Sequence, residues 1–256
     1  RMSNVHLVIP DSHAHYQQNN DRATLIGLLM ADLKPDVVVN MGDMWDMPSL
    51  SAYDKGRKSF TGRTYKADVE VGLDFDEKLW APIRKLKKRM PRSVYLIGNH
   101  EQRIHKAVDI QPELEGVVSF NDLDLKKNYD EVVPYEGLTP GTIEVDGIHY
   151  AHYFTSGLMG RPISGDIRPA HTLLLKRHVS STQAHSHSLD FGIQATGDGR
   201  KIMGMFAGCA IDYEMDWAGL TNDLWWRGVV VKHNVENGVY DPEFISLQRL
   251  KDIYGS

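Results

Sequence analysis

A single cysteine, Cys209, occurs in 256 residues, so the chain can form neither an internal disulfide nor a thiolate cluster of the structural-zinc kind. Apolar runs of the roughly 20 residues needed to span a bilayer are missing, and the N-terminal stretch lacks the apolar core of a secretory leader. Together these absences predict an intracellular, cytoplasmic protein with no membrane contact. An excess of positive charge is missing as well. The 29 Lys and Arg face 34 Asp and Glu, for a formal net charge of -5, which excludes a uniformly basic coat for nucleic acid while leaving a local basic groove open. What remains is a globular composition, 41% hydrophobic and 25% charged, long enough for a sizeable core. The expectation is a single domain over 1–256.

The informative residues are polar and sit where apolar runs stop. Leu96 to Arg103 reads LIGNHEQR, an apolar strand delivering Asn99 and His100 to the rim of a sheet, where open α/β sheets place chemistry. A lone GNHE also suits a plain turn with Asn99 capping a helix from Glu101, so the other clusters decide. Val5 to Pro10 is a second apolar run, followed by Asp11, Ser12 and His13. Two residues apart on extended backbone, Asp11 and His13 point the same way and can reach one cation; His15 continues the spacing. A helical pattern over Asp21–Leu33 stops before Pro35, and the strand Asp36–Asn40 again runs into acids, in GDMWD. Polar groups at successive strand ends predict a site along one edge of a sheet.

Met47 to Lys66 carries Lys55, Arg57, Lys58, Arg63 and Lys66 with little periodicity. It predicts a long loop beside the site, around 47–67, although a solvated excursion has the same composition. Asp68–Met90 reads as a helix whose basic end, RKLKKRMPR, complements the helix dipole and needs no nucleic acid to explain it. Strand Ser93–Ile97 leads into GNHE, and helical pieces follow from Ile104 to about Lys127. Strands Thr142–Val145 and Ile148–His152 flank the Asp146-Gly147 turn. His152 ends the second of these, whereas His149, three residues back, faces the other way. A stretch rich in Gly and Pro, 153–169, predicts another active-site loop, followed by a helix over Ala170–His178. In STQAHSHS, His185 and His187 repeat the two-residue spacing of Asp11 and His13. Strands over Leu189–Ala195, Lys201–Ala207, Val229–Val235 and Val239–Leu247 predict a C-terminal half that is mostly antiparallel sheet.

Taken in order, D-S-H, G-D-M-W-D, G-N-H-E, a strand-end His and A-H-S-H closely resemble the calcineurin-like metallophosphoesterase family, from Asp11 to His187. The resemblance implies an α/β fold of the four-layer αββα kind, two mixed sheets face to face with helices outside. It also implies Asp11, His13, Asp43 and His187 on one metal, Asp43, Asn99, His152 and His185 on another, and Asp43 bridging them. His100 matches the family's catalytic histidine and Asp46 the acid that pairs with it. A hydroxide held between the metals would attack phosphorus while His100 protonates the leaving group. Oxygen and imidazole donors without thiolate suit hard or borderline ions. Mn²⁺ is the expected ion, with Zn²⁺, Fe, Ni or Mg²⁺ as alternatives.

Some positions depart from the family pattern. Ala184 stands where Gly usually precedes the final His-x-His, Tyr153 where Gly follows the penultimate histidine, and Met47 where the protein-phosphatase branch carries a phosphate-binding Arg. Arg103 and His15 are candidates for substrate phosphate, an exposed helix Arg being the plainer reading of the first. The basic loop after GDMWD is similar to that of phosphoesterases of tailed bacteriophages, which implies a nucleic-acid or nucleotide phosphodiester substrate, and the host cytoplasm as location. The alternatives are a small-molecule phosphomonoesterase and a metal-bound scaffold without catalysis.

Overall fold

The computed structural model describes residues 4–53, 55–87, 89–157, 160–164 and 167–255. Four short strands, β1 (Asn4–Ile9), β2 (Val37–Asn40), β3 (Arg92–Leu96) and β4 (Glu131–Val133), lie parallel to one another in that order. Their runs are apolar on both faces, as strands covered on both sides must be, and all four residues of β2 are buried. On one face, Ile26 and Met30 of α1 (Asp21–Leu33) and Phe75, Leu79 and Trp80 of α2 (Tyr65–Lys85) join Leu7, Ile9 and Val38 in one core. Each such buried side chain contributes about 1.5–3 kcal/mol.

The helix boundaries follow local chemistry. α1 ends where Lys34 turns left-handed, at φ 50°. α2 starts three residues ahead of the expected Asp68, because the Thr64 hydroxyl accepts the Ala67 amide as an N-cap. It stops at Lys85, short of Met90, because Lys87 takes φ 50° and breaks the hydrogen-bond ladder. After GNHE, α3 (Arg103–Ile110) is brief and single 3₁₀ turns replace the helices expected up to Lys127.

A ribbon of β5 (Tyr135–Glu136) and β6 (Thr139–Pro140) leads to the second sheet. It opens with the hairpin β7 (Ile143–Val145) and β8 (Ile148–Tyr150). A second ribbon, β9 (Thr155–Ser156) and β10 (Arg161–Pro162), precedes α4 (Pro169–Arg177). Then come β11 (Ser181–Gln183), β12 (Leu189–Ala195) and β13 (Lys201–Ala207). The sheet order is β12-β13-β11-β8-β7. The pairs β7–β8 and β12–β13 are antiparallel, as expected of a mostly antiparallel C-terminal half; only the centre of this sheet is parallel, β11 running with both β8 and β13. The connection through α4 crosses over the sheet and returns the chain in the same direction, as parallel pairing requires.

The chain finally rejoins the first sheet. β14 (Gly228–Glu236) pairs antiparallel with β1, β15 (Val239–Ser246) with β14, and α5 (Leu247–Tyr254) packs on the helical side. Val8, Val39 and Leu96 meet Ile148, Tyr150 and Met205 between the sheets, and α4 covers the far face of the second sheet, its Ala170 and Leu173 clustering with Phe206 of β13. The result is a four-layer αββα sandwich of two mixed sheets. Among the described residues no helix is long and apolar enough to cross a membrane.

Candidate metal centre

Asp11 and His13 leave the end of β1, Asp43 and Asp46 follow β2, and Asn99 and His100 follow β3, so three adjacent parallel strands deliver three loops to one edge. Backbone bonds lace these loops. The amides of Ser12 and His13 donate to the Asp43 carbonyl at 3.1 and 2.9 Å, and that of Ala14 to Met44 at 2.6 Å. The second sheet supplies His152, His185 and His187 from the loops after β8 and β11. His152 lies in a bend two residues beyond the strand it was expected to end.

Several of these residues hold left-handed backbone: φ is 43° at His13, 50° at Asp43, 66° at His185 and 59° at His187. Such conformations cost about 1–3 kcal/mol each and persist where surrounding structure over-determines them, typically at functional sites. Ala184 shows no such value and fits its buried position, so the absent glycine removes nothing. Gly98, by contrast, has no room for a side chain. A Cβ there would lie 2.1 Å from Asp43 Oδ1.

The side chains converge in groups whose ligand-capable atoms lie within 4.8 Å of one another: Asp11, His13 and His187 in one, and Asp43, His152 and His185 in another. The Asp43 carboxylate stands between them, Oδ2 being 3.3 Å from His152 Nε2 and 3.9 Å from His13 Nε2. Asn99 Oδ1 joins at 2.9 Å from His152 Nε2. His152 Nδ1 donates to the Met41 carbonyl at 2.8 Å, which fixes the tautomer and turns Nε2 toward Asp43. His13 Nδ1 sits 2.9 Å from Asp46 Oδ1, while its Nε2 is buried with no hydrogen-bond partner.

That orphaned nitrogen between two carboxylates is what a cation site looks like from the protein side. Burial would raise the Asp11 and Asp43 carboxyls, yet the charge of His152 and hydrogen bonding from neighbouring imidazoles hold both below their ordinary range. Burial opposes the imidazoliums of His13 and His152 in turn, but the carboxylates around them push these up to about 10 and about 9. The protein alone thus recruits protons to balance its buried acids, a role that a divalent ion fills better. Burial, followed by His152, lowers His185 to about 4, which leaves it the neutral imidazole that ligation requires. Carboxylate, amide and imidazole donors fit divalent ions of the hard or borderline class.

His100 also lies within reach of Asp43 and His13, but its ring is held by other groups. Nδ1 is 2.7 Å from the Asp46 carbonyl and 3.1 Å from Asp46 Oδ1, and Arg103 Nη2 approaches Nε2 at 3.1 Å. Burial lowers its pKa, with Arg103 and His13 acting the same way. Asp46 therefore orients two imidazoles, His13 as well as His100. Arg103 donates to the Asp46 and Met47 carbonyls at 2.8 and 3.1 Å and lines the cleft beside the centre. His15 lines it too, its Nε2 3.9 Å from Asp46 Oδ2. Of the basic loop, Arg57 and Arg63 border the cleft, whereas Lys55 and Lys58 are exposed outside its lining. In the second loop, Tyr153 packs its ring against His185 at 4.7 Å; residues 158, 159, 165 and 166 lie outside the described set.

Two supporting residues had no reading in the sequence. Glu101 is fully buried and accepts the amides of Asp43, Trp45 and Gly98 and the Tyr95 hydroxyl, at 2.8–3.1 Å. Arg22, equally buried, donates to the carbonyls of Ser12, His13 and Ala210 and to Asp212. The one available hint was the type itself: a charged residue inside an apolar helix pattern or directly behind a strand-end histidine.

No family model matches the chain. Over 152 residues it is 29% identical to the Gene 54 protein of Mycobacterium phage L5 and, to the same extent, to the Gene 54 protein of Mycobacterium phage D29. Each match covers 57% of this chain and 57% of the relative, so the chain spans little more than half the length of these curated proteins. The crystal structure of a metallophosphoesterase from Sphaerobacter thermophilus aligns over 99% of this chain and 94% of that one, at 13% identity and a TM-score of 0.38.

Proposed function

We propose that the chain is a two-metal phosphoesterase that hydrolyses phosphodiester bonds of nucleic acid or nucleotides. The observation that carries this reading is the placement of Asp43, one buried carboxylate between two His/Asp groups, with a fifth, differently held imidazole, His100, beside it. The ordered motifs resembling the calcineurin-like metallophosphoesterases support it, and similarity to two phage proteins accords with a phage-type member.

Asp11, His13, Asp43 and His187 would hold one divalent ion and Asp43, Asn99, His152 and His185 the second, with Mn²⁺ the expected metal. Bound there, the pair supplies Lewis-acid polarisation of phosphoryl oxygens and a water acidic enough to attack at neutral pH. The chain's own contribution is positioning and proton transfer. His100 Nδ1 donates to the Asp46 carbonyl, which leaves Nε2 toward Asp43 and the cleft. In the resting state Arg103 donates into Nε2 and keeps the imidazole neutral. An entering phosphodiester anion competes for that guanidinium, raises the proton affinity of His100 and lets Nε2 take a proton from solvent. The imidazolium then protonates the departing alkoxide, with Asp46 stabilising its charge.

Turnover of bis-p-nitrophenyl phosphate and p-nitrophenyl phosphate with added Mn²⁺ tests the proposal. The diester should be hydrolysed faster than the monoester. Preference for the monoester would favour a small-molecule phosphatase, and turnover of neither would overturn the enzymatic reading in favour of a scaffold.

A further inference from the structure

The cleft beside the metal centre has a volume of about 690 Å³, far more than a phosphate group needs and within the range of sites for whole organic ligands. Its walls combine two chemistries. Arg57, Arg63 and Arg103 line it against two acids, Asp46 and Glu214, in a chain whose net charge is -5, so the cleft carries an excess of cations where the molecule as a whole is acidic. Aromatic rings line it as well, and two of them face water: Trp217 is 73% and Tyr53 87% exposed. Large exposed rings beside an open cleft mark a surface that a ligand covers.

The rings are arranged relative to the metal residues. His187 packs edge-on against Trp225 at 4.4 Å between centroids, and Trp225 contacts Trp217 at 5.9 Å, so an aromatic path leads from a candidate ligand out to an exposed indole. On another side His15, close to Asp46, stacks on Tyr16 at 4.6 Å and 23° between planes. Tyr213 fastens the path's neighbourhood to the centre, its hydroxyl donating to the His13 carbonyl at 2.5 Å.

We infer that this cleft binds a single-stranded nucleic acid whose unpaired bases stack on Trp217, Tyr53 and Tyr16 while arginines hold its phosphates. The inference rests on the phosphodiesterase reading above and narrows its substrate. Interleaved rings and cations are how proteins hold unpaired strands without reading sequence. A duplex hides its base faces in the helix stack and offers these rings nothing, and a phosphate backbone without bases offers only charge. A nucleotide fragment would be held by the same chemistry but would occupy fewer of the rings.

Fluorescence anisotropy of labelled 12-mers joined by phosphorothioate linkages, which resist hydrolysis, tests this with the whole 256-residue chain as purified. Three probes are compared: a mixed-sequence single strand, the same sequence as a blunt duplex, and an abasic strand of equal length. The single strand should bind at least tenfold more tightly than either of the others. Trp217→Ala should weaken single-strand binding about tenfold, toward that of the abasic strand, and Trp217→Phe should restore most of it. Trp217 is exposed, so both variants should melt with the wild type, and a scan of each checks that. Equal affinity for the duplex or the abasic strand, or an unchanged Trp217→Ala, would overturn the inference even if bis-p-nitrophenyl phosphate is hydrolysed. Selective single-strand binding without turnover of any ester would sink the phosphoesterase reading, and with it the strand as substrate, and leave only a binding cleft.

Discussion

The Asp43 amide donates to Glu101 Oε2 at 3.0 Å, and the same oxygen accepts the Gly98 amide at 3.0 Å. One buried carboxylate thereby ties the loop carrying the shared aspartate to the loop carrying Asn99 and His100. Glu101→Gln places an NH₂ group where only acceptors are wanted and leaves at least one buried amide unpaired, at a cost of about 1–3 kcal/mol. Calorimetric titration with Mn²⁺ should show roughly 10- to 100-fold weaker binding, the usual scale for losing a partner that orients ligands.

Removing the shared carboxylate has a different signature. On the proposed assignment Asp43→Ala takes a ligand from both ions at once, so metal analysis after dialysis should find two equivalents in the wild type and less than one in the variant. Chelation of the wild type with EDTA should lower its melting temperature, because an ion that binds only the folded state stabilises it. The Asp43→Ala melt should respond little to the chelator.

For His100 the discriminating variable is the leaving group. His100→Ala should lower kcat on a dinucleotide, whose alkoxide needs a proton, by roughly 10²–10⁴. On bis-p-nitrophenyl phosphate, where the departing phenolate is a weak base, the loss should be markedly smaller. Equal losses on both substrates would assign His100 to binding instead of proton transfer.

His6 gives a stability prediction remote from the centre. It is buried between the sheets, 2.9 Å from the Tyr150 hydroxyl and 2.8 Å from Asp146, and burial lowers its pKa to about 4. Between pH 6.5 and 4 the unfolded chain takes up a proton that the folded one refuses, so stability falls as the pH falls through that window. The shift corresponds to about 3 kcal/mol. Unfolding free energies from urea titrations at pH 7 and pH 4 should show His6→Gln losing less stability than the wild type by about that amount.

Much of the architecture was legible in local pattern. Asp21–Leu33 has the boundaries read from helical spacing, which records the face that meets the core, and Leu189–Ala195 and Lys201–Ala207 have those read as strands flanking the Gly197-Asp198-Gly199 turn. Helix ends deviate where one side chain intervenes, as with the Thr64 cap of α2. The parallel centre of the second sheet was not legible, since β11 reads the same whichever direction its neighbours run. Asp46 was assigned to His100 by resemblance, and its bond to His13 Nδ1 joins residues 33 positions apart in the chain.

By itself the sequence determined the apolar runs and the polar residues that end them, and it proposed Asp11, His13, Asp43, Asn99, His152, His185 and His187 as metal ligands through the order of motifs that resembles a known family. Residue type and motif order are written along the chain. Only the tertiary structure decided that Glu101 and Arg22 hold the loops in place and that Trp217, 30 positions past His187, stands at the mouth of the cleft. A buried hydrogen bond or a ring contact depends on where two distant segments meet in three dimensions, and periodicity along the chain carries no record of that meeting.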